Sequence, residues 1–531
     1  MKKILDQIVK NMPEEDRENP TIILLLELFE QQFEIILALK EQNQILRDEI
    51  ARLKNQKPKP KIRPTKLSKD TPKNSPEKGS KPKKRKKTAE LTIHKEERIT
   101  PESIPVGSTF KGLKPYTVQD LRISACNTRY FLEQWQTPDG NMVAGKLPSE
   151  IDGHFGNTLK SFILYQYHHC HVTQPLILEQ LHEWDVDISY CQVNRILIEN
   201  KEQFHAEKDD ILAAGLNSSA YINVDDTGAR HDGKNGYCTH IGNDFFAYFA
   251  STDSKSRINF LKLLRAGKFD YILNDNAFQY MIGERLPKSP LILLENHSVK
   301  KFTDDKQWQE HLENLGITTP RHVKIATEAA LFGSVLSQIP KNLVIVSDDA
   351  GQFNIHNHAL CWIHAERTLA KLIVPSTLKQ KTLEDVRKQV WEFYDELKSY
   401  KISPDEKDKI QLQEKFDTIF TQQTNFQLLN LALQRLHANK AELLLVLDRP
   451  EIPLHNNLSE NDIREYVKKR KVSGSTRSKT GRQCRDTFVS LKKTCRKLGI
   501  SFWQYLKDRH SGKNLILPLP QLVEQKSAAL R

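Results

Sequence analysis

The chain has 531 residues, 38% of them hydrophobic and 28% charged, with a formal net charge of +13 at pH 7. That length exceeds one ordinary core, so two to four domains are expected, and no stretch approaches the roughly 18 apolar residues of a membrane span. Seven scattered cysteines without a CxxC pair exclude a disulfide framework or a zinc ribbon, and the acids Asp6, Glu14, Glu15 and Asp16 behind the opening MKK exclude a secretory signal, so a cytoplasmic protein is expected.

The first predicted segment, residues 1–54, is an N-terminal coiled coil. A heptad array runs over 22–53. One seam reads Ile22, Phe29, Ile36, Asn43 and Ile50, the other Leu25, Gln32, Leu39, Leu46 and Leu53. β-branched residues on one seam and leucine on the other favour two parallel strands, and a single seam Asn sets register at some cost in stability. A homodimer held through Ile22, Leu25, Ile36, Leu39, Asn43, Leu46, Ile50 and Leu53 is the expectation.

Residues 55–100 read as a basic, disordered linker. Positions 55–88 hold 14 Lys and Arg against Asp70 and Glu77, a net of +12, which leaves about +1 for everything else. Such a Lys/Pro/Ser-rich stretch cannot bury enough apolar surface to order itself. Its chemistry suits non-specific contact with phosphate backbones through counterion release.

Residues 101–215 are expected to be mostly helical. The segments 158–170 and 175–184 carry helical patterning, and Ser189 is placed to cap a further helix after a short turn. Two helices joined by a tight turn make a candidate helix-turn-helix. The run His168-His169-Cys170-His171 points in different directions around one helix and is not read as a metal site.

The period changes at 216–375, read as the first part of an α/β core. Three short strands, 221–227, 236–242 and 245–251, are separated by turn residues, followed by a helix ending at Gly267 and a fully apolar strand at 341–349. A three-stranded meander, a helix and a fourth strand is the order of an RNase H-like fold. It would bring Asp225 and Asp348, 123 residues apart, to neighbouring strand ends. Residues 376–450 read as a helical insertion, from helices at 381–400 and 424–447, and 451–531 as a catalytic-glutamate helix with a basic C-terminal region.

Asp225, Asp348 and Glu460 carry the chemistry. Two strand-end aspartates and a helical glutamate are what such a fold needs to hold two divalent ions about 4 Å apart around a phosphodiester. Hard oxygen donors suit Mg²⁺ or Mn²⁺, and no zinc is expected. Both strands are apolar on both faces, so periodicity leaves Asp225 or Asp226, and Asp348 or Asp349, open. Cys361, His364 and Thr368 share a helical face, with Arg367 beside them. His364, Arg367 and Arg464 are candidate active-site or phosphate support. Asn456 or Asn457 can cap the helix that carries Glu460. After it, residues 468–497 hold twelve Lys and Arg against Asp486 alone. Lys468, Lys469, Arg470, Lys471, Arg477, Lys479, Arg482 and Arg485 are read as a groove that tracks a DNA strand.

The blocks VDDTG, SDDAGQF, CWIHAER, NNLSENDIR and GSTRSKTGR, followed by SLKKTCRKLGISFWQYL, occur in this order between about 145 and 506. Together they resemble the transposases of the insertion sequence 66 family. The resemblance implies a bacterial DNA transposase of the Asp-Asp-Glu type that cuts and joins element ends. Its acidic triad falls on Asp225, Asp348 and Glu460, favouring the first of each aspartate pair. It also implies element-end and target DNA, accessory proteins of the same element, and a place at the bacterial nucleoid. Many members carry zinc-finger cysteine pairs ahead of the core, where this chain keeps only Cys126. A nuclease that stops after cutting, or an inactive transposase-derived DNA-binding protein, are the alternative readings.

Overall fold

The computed structural model describes residues 92–148, 151–374 and 376–529, together with Gln32. The predicted coiled coil and nearly all of the basic linker lie outside the described residues. Contacts divide the chain into two units, Leu24–Ile123 on one side and Met1–Ile23 with Ser124–Arg531 on the other. In the first, described residues 92–123 contain no helix or strand.

The expectation that 101–215 is mostly helical fails over its first half. Pro101, Pro105, Gly107, Gly112 and Pro115 interrupt any helical run there. A short hairpin, β1 (Gln134–Gln136) with β2 (Met142–Ala144), comes next. Helix begins at α1 (Asn157–Leu164), which continues as a π-turn at Tyr165–His169. Helices α2 (Gln174–Glu183) and α3 (Tyr190–Ile198) follow, and Ser189 accepts the Gln192 N–H as the expected cap. Helix α4 (Glu202–Ser218) leads into the sheet.

Five strands form one mixed sheet: β3 (Tyr221–Gly228), β4 (Tyr237–Gly242), β5 (Ala247–Thr252), β8 (Val344–Ser347) and β9 (Asn357–Leu360). Their order is β5-β4-β3-β8-β9. β3–β4 and β4–β5 are antiparallel, while β3–β8 and β8–β9 are parallel. A meander whose first strand sits beside the fourth is compatible with an RNase H-like core. Between β5 and β8 the chain adds α5 (Arg257–Leu264), β6 (Tyr271–Ile272), α6 (Asp275–Gly283), α7 (Lys288–Asn296), β7 (Lys301–Phe302), α8 (Asp305–Asn314) and α9 (Pro320–Leu336). Only α5 of these was expected.

Alternation along the strands sorts the side chains. Ile222, Val224 and Ile345 point into the larger core. On the opposite face Val344 and Val346 pack with Ala359 and Ile452. Further along that face Cys238 and Phe249 meet Ile463, Tyr466 and Val489, from α15 (Asn457–Ser473) and α16 (Lys479–Leu498).

β5 is an edge strand, and its free N–H groups are capped by α16. Ser251, Phe249 and Ala247 donate to Asp486 Oδ2, Ser490 Oγ and Thr494 Oγ1 at 2.7, 2.9 and 3.1 Å. Acceptors at i, i+4 and i+8 form one stripe on a helix, matched to alternate residues of the strand. The edge is thereby closed to further strand pairing.

The insertion between β9 and α15 is helical as expected. It contains α10 (Trp362–Ala370), α11 (Thr377–Ile402), α12 (Glu406–Thr421), α13 (Gln427–Ala438) and the short α14 (Lys440–Leu443). It has its own core around Phe393, Phe416, Phe420 and Leu433, into which Trp362 projects. The chain closes with α17 (Phe502–Ser511) and α18 (Leu519–Ala528). No helix among the described residues is long and apolar enough to cross a membrane.

Candidate active site

β3 and β8 run parallel with Tyr221 level with Val344, Ile222 with Ile345 and Asn223 with Val346. Carrying that register two residues further sets Asp225 beside Asp348, and Asp226 beside Asp349. Within β3, strand alternation separates Asp225 from Asp226. Asp225 shares the face of Asn223, towards α15, and Asp348, just past the end of β8, is near enough to raise its pKa. Asp226 is held on the other face by Thr239 (2.6 Å) and Gln352 (3.0 Å), and Asp349 pairs with Arg435.

The third carboxylate reaches this point because the start of α15 is tied to the same strand. Asn456, fully buried, donates to the Val224 carbonyl at 2.7 Å and accepts from Asn223 at 2.9 Å. Its own N–H meets Cys361 Sγ at 3.1 Å. The side chain expected to cap α15 is therefore spent on the sheet and makes no cap hydrogen bond. Glu460, one turn on, faces the aspartates. Burial first, and then the carboxylates of Asp348, Asp226 and Glu460, push the Asp225 carboxyl up to about 7; the Asp226 N–H at 2.7 Å works against them.

His364 and Arg367, both on α10, arrive on Glu460 rather than on free space. Arg367 Nη1 lies 3.0 Å from Glu460 Oε1, and His364 Nε2 lies 3.6 Å from the same oxygen. Burial, then the adjacent Arg367 guanidinium, hold the His364 imidazole below its ordinary pKa. Arg464 approaches the other Glu460 oxygen at 3.8 Å from an exposed position. Cys361 ends the strand-to-helix turn and is buried, with burial raising its thiol pKa.

Three carboxylates of this kind fit a hard divalent cation by donor type. Among the described residues no three His, Cys, Asp or Glu side chains stand close enough to hold a metal ion as they are placed. Glu460 leans onto Arg367, and Asp225 and Asp348 accept backbone N–H groups from Asp226 and Ala350. The donor set is right in kind.

The basic run splits by face. At 3.6 residues per turn, Glu460, Arg464, Lys468 and Lys471 share one exposed or half-exposed stripe of α15. Arg477 and Lys479 are exposed beyond it, and Arg470 and Arg482 are half-buried. Two members of the expected groove are not on it. Lys469 is fully buried, its Nζ bonded to the Tyr167 carbonyl and 3.2 Å from the Tyr167 ring centre. Arg485 is 5% exposed and donates to the Gly474 carbonyl. Both fall on faces that pack against the π-turn and the loop before α16. Lys492, Lys493 and Lys497 also turn inward, to Glu465 and Asp462.

Sequence reasoning did not single out His240. It stands opposite Asp225 on β4, is fully buried, and brackets Glu460. Nδ1 meets Ser459 Oγ at 2.9 Å and Nε2 lies 3.2 Å from Asp462 Oδ2. Burial lowers the imidazole pKa, and the Asp462 carboxylate beside Nε2 favours the tautomer protonated there, which leaves Nδ1 to accept from the serine hydroxyl. No local motif marks such a residue.

The family described as "Transposase IS66 family" matches residues 333–484. Asp348 and Glu460 lie inside that span and Asp225 lies before it. A protein of Sinorhizobium fredii (strain NBRC 101917 / NGR234), described as uncharacterized protein y4jO, is 46% identical over 321 residues. These make up 60% of this chain and 100% of that relative.

Proposed function

This chain belongs to the IS66 family of transposases, a family of DNA-cleaving enzymes, and we propose that it cuts and joins the ends of a bacterial insertion sequence with Asp225, Asp348 and Glu460 as its metal-holding triad. The observation that supports the reading is the proximity of Asp225 of β3 to Asp348, just past β8, and to Glu460 of α15, whose charges raise its pKa, while Asp226 and Asp349 are engaged by Thr239, Gln352 and Arg435.

Asp225, Asp348 and Glu460 would hold two Mg²⁺ or Mn²⁺ ions, which supply activation of the attacking oxygen and stabilisation of the leaving one. The protein's own part is placement and charge. Asn456 and His240 hold the first turns of α15 against the sheet, which aims Glu460. Arg367 pairs with Glu460, and its guanidinium could turn to a phosphate when that carboxylate is engaged elsewhere. The stripe of Arg464, Lys468 and Lys471 leads away from the carboxylates and suits the backbone of a DNA strand. Two protomers joined through the N-terminal heptads would present two such sites to two element ends, and accessory proteins of the element belong to the same proposal.

The test uses labelled DNA carrying the element's own ends, with wild type and Asp348→Ala, in Mg²⁺ and in EDTA. Metal-dependent joining that the variant loses is the expected result. Cutting without joining would favour a nuclease, and binding without either would favour a DNA-binding protein without the chemistry.

A further inference from the structure

The loop between α15 and α16 closes one side of a cavity that the carboxylate chemistry does not use. It measures about 450 Å³. Its walls include Tyr167 and His168 from the π-turn, Asn194 of α3, and Ser473, Arg477 and Arg485 around the loop. No Asp or Glu lines it.

Three features make it a site for an anion. His168 is 1% exposed, and neither ring nitrogen has a hydrogen-bond partner; the buried Ser473 Oγ has none either. Buried polar groups left unpaired are costly, so a ligand that satisfies them is favoured. Cations stand at the wall: Arg477 and Arg485 line the cavity, and burial first, then the nearby basic side chains, hold the His168 imidazole well below its ordinary pKa. Finally, the 20-residue α16 points its N-terminus here, with no acid in its first turn. Ser478 Oγ already accepts the Gly481 N–H there, and the end contributes the positive end of the helix dipole.

The cavity's place suggests which anion. Ser473 ends α15, thirteen residues from Glu460, about 20 Å at the helical rise. The cationic stripe Arg464, Lys468, Lys471 connects the two. A strand that leaves the carboxylates along this stripe reaches the cavity after about six nucleotides at roughly 3.4 Å each. Tyr167 and the half-exposed Tyr190, both lining the cavity, offer rings on which a base can stack.

We propose that this cavity is a phosphodiester-binding subsite that anchors one nucleotide of the DNA strand running down α15. The proposal rests on the reading of the chain as a DNA-acting enzyme, but it concerns binding alone and needs no metal.

The experiment measures binding of a fluorescent single-stranded oligonucleotide in EDTA across a salt series, for wild type, Arg477→Gln and Ser473→Phe, with inorganic phosphate as competitor. Arg477 is exposed, so its variant folds; Ser473→Phe fills the cavity without changing charge, and its fold is checked by circular dichroism. Loss of one phosphate contact is expected to reduce the slope of log K against log salt by about 0.7 in Arg477→Gln. Ser473→Phe is expected to weaken binding about fivefold, and iodouracil in the strand to cross-link to Tyr167 or Tyr190. Unchanged affinity and slope in both variants would overturn the subsite. So would a cavity that takes inorganic phosphate while DNA binding ignores its filling. If strand cutting in Mg²⁺ succeeds while the variants bind normally, only the subsite fails. If DNA binds through the cavity and is never cut, only the catalytic reading fails.

Discussion

Helix α15 carries two acidic settings within six residues, and they have opposite electrostatics. At its first turn Glu460 meets two more carboxylates, and Asp225 is pushed up to about 7. On the inner face Asp462 and Glu465 meet cations. Burial would raise Asp462, but His240, Lys497 and Lys493 hold its carboxyl far below the usual range; His171 and Lys492 do the same for Glu465 against burial. Like charges brought together are costly unless something else is bound there, whereas opposite charges brought together serve the scaffold. The same helix thus has one face where like charges crowd and one where opposite charges pair.

The largest expected effect separates these faces. Asp462→Asn leaves Lys493 and Lys497 buried without their acid. It should cost about 3–5 kcal/mol of folding stability, read by denaturant unfolding. A loss below about 1 kcal/mol would show that this acid is not structural. Asp225→Asn should do the reverse: metal-dependent strand cutting falls by about 100-fold or more while the fold is retained. The sign of its pH dependence follows. A carboxyl raised from 3.8 to about 7 prefers the folded state protonated, so its ionised form opposes folding above about pH 7. Metal-free stability should therefore rise as pH falls from about 8 towards 4, and this contribution should vanish in Asp225→Asn. Stability that instead falls over pH 8 to 6 in wild type alone would contradict the crowding of carboxylates.

A smaller effect tests the edge of the sheet. Ser490→Ala strands the Phe249 N–H and should cost about 1–3 kcal/mol, seen as faster amide exchange along β5. The smallest concerns Arg367→Gln. Its partly exposed ion pair with Glu460 is worth about 1 kcal/mol at most. Mn²⁺ binding, measured by calorimetry, should tighten by no more than about fivefold; weaker binding would mean that Arg367 helps to assemble the site rather than competing for it.

Much of this arrangement was legible from local pattern. The apolar runs ending at Asp225 and Asp348, the Ser189 cap and the helical character of 376–450 follow from period and turn chemistry. Helix α12 follows the same rule: Leu412, Phe416, Ile419 and Phe420 keep helical spacing. What failed was sidedness. The run 468–497 reads as uniformly basic, yet Lys469, Arg485, Lys492 and Lys493 face inward, because the π-turn at Tyr165–His169 and the acids Glu465 and Asp462 lie behind them. Asp486, Ser490 and Thr494 look like a solvated polar stripe until the edge of β5 is placed beneath them.

Sequence alone determined the strands of the meander, the Ser189 cap, the helical character of 376–450 and the block order that marks the family, since these depend on residues close together in the chain. Periodicity left the choice within each aspartate pair open, and what the tertiary structure adds is the set of contacts that engage Asp226 and Asp349 elsewhere. Those contacts depend on which elements the fold places side by side, as it does β3 and β8, whose partners are 123 residues apart.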